Sequence, residues 1–352
     1  MTQRDNRLVA AWLAVCCLLV FSMIVLGGVT RLTQSGLSMV EWDPIMGIVP
    51  PLSEREWQEA FTKYQAFPEY QVANKDMSLA GFKGIFYVEY AHRVLGRSLG
   101  VIFFLPFLFF LLSGRLARGL VVKLVVLFLL GGAQGLMGWY MVKSGLIDIP
   151  RVSPYRLTAH LMLALLIFGY MLWLLLDVLR RDSLVPLVPA GVRRYAAVVL
   201  LAVATMVFTG GFVAGTRAGF AFNTFPKMYG RWLPEGLWAM QPGWSNLFEN
   251  IATVQFIHRC LALLLALLIL GFWVFVRRKG ADQIRRACDL LLLLVLIQIS
   301  LGIATLINIV PVPLAVAHQA GALVVFAMAL FIYHCSALGV RTSANPRAGP
   351  PP

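Results

Sequence analysis

The sequence predicts an all-α membrane protein of eight transmembrane helices, arranged as two parallel-repeat four-helix bundles. Composition points there first. The 352 residues are 59% hydrophobic and only 13% charged, against roughly 45–50% and about 25% in soluble domains. The second observation is a series of apolar runs, each near the length of about 20 residues that a helix needs to cross the hydrocarbon core. The third is an internal duplication whose matched segments keep their order.

The spans fall near 8–28, 86–112, 119–142, 155–179, 194–215, 251–276, 284–308 and 312–338. The first begins after a charged stretch, MTQRDNR, but no small-residue cleavage site follows, so it reads as a retained helix rather than a signal peptide. The net charge of +14 does not indicate a nucleic-acid partner, because the basic residues sit in short clusters between spans. Arg4 and Arg7 precede the first span, Arg115, Arg118 and Lys123 surround the second-to-third connection, and Arg180, Arg181, Arg193 and Arg194 flank the fourth-to-fifth. Arg277, Arg278, Lys279, Arg285 and Arg286 fill the sixth-to-seventh, and Arg341 and Arg347 follow the last span. With eight spans these clusters share one side, which makes both termini cytoplasmic and turns the long loops, 29–85 and 216–250, outward. Five cysteines, none in those loops and none in a CxxC pair, argue against a disulfide framework or a zinc site.

The duplication divides the chain into an N-terminal bundle, 1–182, a C-terminal bundle, 183–340, and a tail, 341–352, expected to be disordered. LGGVTRLTQSGLSMVEWDPIMG answers TGGFVAGTRAGFAFNTFPKMYG, EYAHR (89–93) answers QFIHR (255–259), QGLMG (134–138) answers QISLG (298–302), and TAHLM (158–162) answers VAHQA (316–320). Each copy holds an even number of spans, so the copies share one orientation about an axis along the membrane normal.

Four of the five histidines, His92, His160, His258 and His318, occupy matched slots near the outward ends of their helices. An imidazole inside lipid is costly and calls for a partner or a task. Two facing imidazoles per bundle suit the axial positions of a haem iron, His92 with His160 and His258 with His318. Zinc or copper fits less well, since neither half supplies the further Cys, Asp or Glu ligands. Two matched arginine pairs, Arg93 with Arg259 and Arg31 with Arg217, are candidates for the haem propionates, because guanidinium groups suit bidentate carboxylate contacts. The fifth histidine, His334, has no counterpart and reads as an interfacial side chain without a special role.

The halves differ at one position. Glu89 precedes His92 by three residues on the same helix face, and its counterpart is Gln255, which cannot ionise. A carboxylate at one site only makes Glu89 the catalytic candidate, with a salt bridge to Arg93 or a loop arginine as the structural alternative. Glu41 and Asp43 in the first long loop likewise face Asn223 and Thr224 in the second. Both loops are expected to cap their sites.

With these residues in place, the chain resembles the haem A synthase family nearly end to end, from LGGVTRLTQSGLSMVEW through EYAHR and TAHL to FIHR and AHQ. Loops without cysteine look like the alphaproteobacterial and mitochondrial-type branch, whereas some branches carry a cysteine pair there. The resemblance implies oxidation of the C8 methyl of haem O to a formyl group, by hydroxylation to a gem-diol that dehydrates. It places substrate haem on His92 and His160, haem b on His258 and His318, and the motif's functional glutamate at Glu89. It further implies a multi-pass protein of the bacterial cytoplasmic membrane, a homo-oligomer, and haem O synthase and cytochrome oxidase assembly factors as partners. The rival readings are a bis-histidine dihaem electron carrier, which does not account for Glu89, and a transporter with histidines along its pathway. Prenyl transfer to haem would need clustered aspartates, which the chain does not have.

Overall fold

The computed structural model describes residues 2–40, 49–145, 152–180, 188–279 and 282–343. Glu41, Asp43 and the tail from 344 onward lie outside the described residues. The order is α1 (Gln3–Leu32), α2 (Glu54–Gln65), α3 (Pro68–Ala73), α4 (Leu79–Leu112), α5 (Arg118–Gly145), α6 (Pro154–Leu179), α7 (Ala190–Gly215), α8 (Ile251–Lys279), α9 (Asp282–Ile307) and α10 (Val312–Ser343). Among the described residues there is no strand, and eight helices are long and apolar enough to cross a membrane. The protein is a multi-pass membrane protein with the eight spans that its hydropathy predicts.

The helices run past the apolar cores because capping residues, not hydropathy, decide where they start. Thr2 caps α1 in a reciprocal capping box with Asp5. Ser78 accepts from Gly81 N at the head of α4, several residues before the predicted start of that span. The 34 residues of α4 extend about 50 Å at 1.5 Å per residue, well beyond a hydrocarbon core of about 30 Å. Its first turns therefore project from the membrane.

That projection gives the first long loop a core. The expectation of a capping loop there did not include α2 or α3. Ser53 and Glu56 form a second capping box, and α2 lays Trp57, Phe61 and Tyr64 against Phe82 and Phe86 of α4. The Trp57 and Phe86 rings meet edge to face at 5.0 Å, and Tyr64 stacks on Phe82 at 5.1 Å. The S-x-x-E signature was present at 53–56, but it borders no apolar run long enough to attract notice.

The chain divides into two compact units, one carried by Ala14–Phe168 and the other by Gly169–Pro352, with Met1–Asp5 in the first and Asn6–Leu13 in the second. In the first, α1 meets α4 where Met23 packs by Gly96. Next, α4 packs on α5, α5 meets α6 where Gly138 receives His160, and α6 returns to α1 through Phe168 and Phe21 at 6.3 Å. In the second, α7 packs on α8 and α10, and α9 packs on the same two helices.

His334 departs from the sequence-based expectation. It is fully buried rather than interfacial. Its Nε2 lies 2.9 Å from Asp177 Oδ1 near the end of α6, and Trp173 meets its ring edge-on at 4.6 Å. A lone acid in the apolar run MLWLLLDVL needs a partner inside the protein, and that need was the overlooked signal. Replacing Asp177 with Leu should leave the His334 ring short of a partner, at a cost of about 1–3 kcal/mol. The double replacement Asp177→Leu with His334→Leu should recover much of that loss. Thermal unfolding midpoints of the three variants in detergent check the order.

Candidate functional site

Each of the four predicted histidines turns toward a neighbouring helix and rests on a glycine there. A methyl group on Gly27 of α1 would stand 3.2 Å from His92 Cε1, and one on Gly210 of α7 would stand 3.5 Å from His258 Cε1. A methyl on Gly138 of α5 would come to 3.2 Å from His160 Cε1, and one on Gly302 of α9 to 2.8 Å from His318 Cε1. The room for His92, His160 and His318 therefore exists because the opposing helix carries no Cβ at that level, whereas Gly210 leaves His258 ordinary van der Waals spacing. All four imidazoles are half-buried.

The second histidine of each pair has a further seat, which the sequence reading did not identify. Gln134, one turn before Gly138, donates its amide to His160 O at 3.2 Å. Gln298, one turn before Gly302, donates to His318 O at 2.8 Å. Spaced four apart on one helix face, glutamine and glycine make a slot for the ring and a tether for its backbone. The signal lay in the matched segments QGLMG and QISLG, both paired with histidine helices.

Glu89 is 3% exposed. Its Oε2 accepts from Ser38 Oγ at 2.7 Å and Met39 N at 2.8 Å, and its Oε1 accepts from Arg93 Nε at 3.0 Å and Nη2 at 2.6 Å. Arg93 also donates to Met39 O at 2.8 Å. The salt bridge weighed as the structural alternative is thus present, and the first loop is pinned to α4 directly above His92. Ser38 lies within the matched segment LGGVTRLTQSGLSMVEW, but its role in holding Glu89 shows only in the fold.

The second unit builds the same clamp with inverted polarity. The Gln255 amide donates to Ala218 O and Ala221 O, both at 2.6 Å, and its Oε1 accepts from Arg259 Nη2 at 2.8 Å. Arg259 also donates to Phe222 O at 2.6 Å and Thr224 O at 2.9 Å. Where the first loop offers donors to an acid, the second offers carbonyls to an amide. Asn223 ties the second loop to α9 by donating to Leu306 O at 2.9 Å.

The other two predicted arginines lie at matched helix ends. Arg31 is in the last turn of α1, where positive charge suits the helix dipole. Arg217 stands just past α7 with φ +58°, turning the chain into a short 3-10 segment, Ala218–Phe220.

The fit of a planar bis-imidazole ligand rests on two features of this site. The donor set is two imidazoles per unit, and those of His92, His160 and His318 sit in glycine cradles that a Cβ would crowd. Gly302→Ala should cost about 1–3 kcal/mol by pushing the His318 ring out of place. Gly210→Ala, with ordinary van der Waals spacing, should be neutral or slightly stabilising. Thermal midpoints of the two variants test the difference.

Residues 10–330 match the family described as cytochrome oxidase assembly protein. Among curated relatives, a heme A synthase of Nitrosospira multiformis is 51% identical over 329 residues, 93% of this chain and 92% of that protein. One of Paramagnetospirillum magneticum is 50% identical over 337 residues, 94% of each. One of Parvibaculum lavamentivorans is 46% identical over 333 residues, 95% of each. With a match across nearly all of its length, this chain belongs to the cytochrome oxidase assembly protein family.

Proposed function

We propose that the chain is a haem A synthase, an oxidoreductase that converts the C8 methyl of haem O to the formyl group of haem A for cytochrome c oxidase. In this reading the two bundles, 1–182 and 183–340, have different tasks. His92 and His160 hold the substrate haem, and His258 and His318 hold a resident haem b. Arg31, Arg93, Arg217 and Arg259 give the propionate ends a positive setting. The resident haem, when bound, supplies a redox-active iron for moving electrons. In the same reading the chain works in the bacterial cytoplasmic membrane with both termini cytoplasmic, as a homo-oligomer, near haem O synthase and other oxidase assembly factors.

The observation that carries the reading is the polarity difference between Glu89 and Gln255. One site buries an acid one turn from its ligand histidine, and the other keeps the same backbone clamp with a group that cannot ionise. A dihaem carrier gains nothing from that difference. Fixed by Ser38, Met39 N–H and Arg93, Glu89 is a preorganised acceptor. Such a group stabilises positive charge developing at a nearby carbon better than one that must reorganise during reaction. The carbon proton can also leave toward it. Ser38 and Arg93 act through Glu89 and are positioning residues.

Glu89→Gln keeps the side-chain shape but sets an amide NH2 against the donors Met39 N–H or Arg93, so the variant should lose about 1–3 kcal/mol of stability. It should still bind both haems while losing about 10²–10⁴-fold in formyl formation. Haem extraction and mass analysis of the purified protein measure both quantities. Undiminished haem A from this variant would remove Glu89 from the chemistry.

A further inference from the structure

The four imidazoles differ in what holds their Nδ1 atoms. In the second unit both are tied. His258 Nδ1 lies 2.8 Å from Thr209 Oγ1, and that hydroxyl donates its proton to Met206 O at 3.0 Å. The ring nitrogen must therefore be the donor, which leaves the Nε2 lone pair for a metal. His318 Nδ1 lies 3.1 Å from the side-chain amide nitrogen of Gln298, which also donates to His318 O, and 3.2 Å from the main-chain oxygen of Gln298, so it has a partner in either tautomer. This ring too can donate through Nδ1.

In the first unit, Nδ1 of His92 and Nδ1 of His160 are both buried with no hydrogen-bond partner. The position before the glycine seat explains the first case. The segment TGG places Thr209 before Gly210, and the matched segment LGG places Leu26 before Gly27. A hydroxyl-bearing residue precedes one seat and an apolar one precedes the other. For His160, the Gln134 amide is directed to the backbone oxygen and toward Nε2, at 3.3 Å, rather than toward Nδ1.

A partner on the non-ligating nitrogen fixes the ring's tautomer and orientation and raises its basicity, and its loss typically lowers metal affinity 10–100-fold. From this we infer that the Nδ1 contacts set how long each site keeps its haem, with Thr209 a positioning residue for the retained one. The second site holds its haem permanently. The first grips by rings that are seated but not locked, as a site must if substrate is to enter and product to leave. This inference rests on the reading of the two sites given above. It adds a physical cause for their division and names the residue, Thr209 or Leu26, that distinguishes them.

The test uses purified holoprotein mixed with excess apomyoglobin as haem acceptor, with the remaining pigments identified by extraction and mass over time. Wild-type protein should lose haem O and haem A at least tenfold faster than haem b. Thr209→Val keeps the side-chain shape, removes the acceptor, and should speed haem b loss on the order of tenfold. Thr209→Ser should restore retention, which a packing effect alone would not do. Leu26→Thr should slow loss of haem O and haem A and leave haem b unchanged. Equal loss of the pigments from wild type overturns the inference, as does an unchanged haem b rate in Thr209→Val. If the protein instead carries haem b alone and never forms haem A, the proposed activity falls, and the Thr209 variants still decide the retention claim on haem b.

Discussion

The close approach of an imidazole to a bare helix backbone is the contact on which the rest of this structure depends. A histidine in an apolar span is tolerable only if it faces protein, and it can face a neighbouring helix at this depth only if that helix gives it room. Gly27, Gly138 and Gly302 give that room, each standing where a Cβ would crowd the ring, and Gly210 lies beside His258 at ordinary contact distance. The seats lie on α1 and α5 in the first unit and on α7 and α9 in the second. The histidine-bearing helices α4, α6, α8 and α10 can therefore turn their rings toward neighbouring helices without being pushed apart.

Above these seats, each unit closes with a side chain one turn before its first histidine. Glu89 and Gln255 occupy the same place, yet they demand opposite partners. A carboxylate accepts, so the first loop turns a hydroxyl, an amide N–H and a guanidinium toward it. A primary amide donates, so the second loop turns carbonyls toward it. The backbone of each loop is therefore matched to the charge of one residue. The two units share this scaffold, and the difference at one side chain goes with a difference in the loop that satisfies it. Buried polar groups left half-satisfied would be more costly than either arrangement.

Much of this was legible in the chain. Hydropathy located the eight spans, because a helix is the way for an open chain to satisfy its backbone in lipid. Matched segments located the four histidines and isolated Glu89. The ends of the helices were less legible, since Thr2, Ser53 and Ser78 act locally and leave no trace in a hydropathy window. His334 was misplaced for a related reason. Its partner Asp177 is 157 positions away, and nothing in either local segment records the pairing.

The sequence by itself determined the helical fold class and singled out the four histidines, because these follow from periodicity, composition and residue type, which are local properties of the chain. The tertiary structure alone decided how those residues are held. It brought Ser38 to Glu89, Gln134 and Gln298 to the second histidines, and Thr209 to His258. Hydrogen bonds between helices depend on directions and on separations of a few tenths of an ångström, and only packing fixes those.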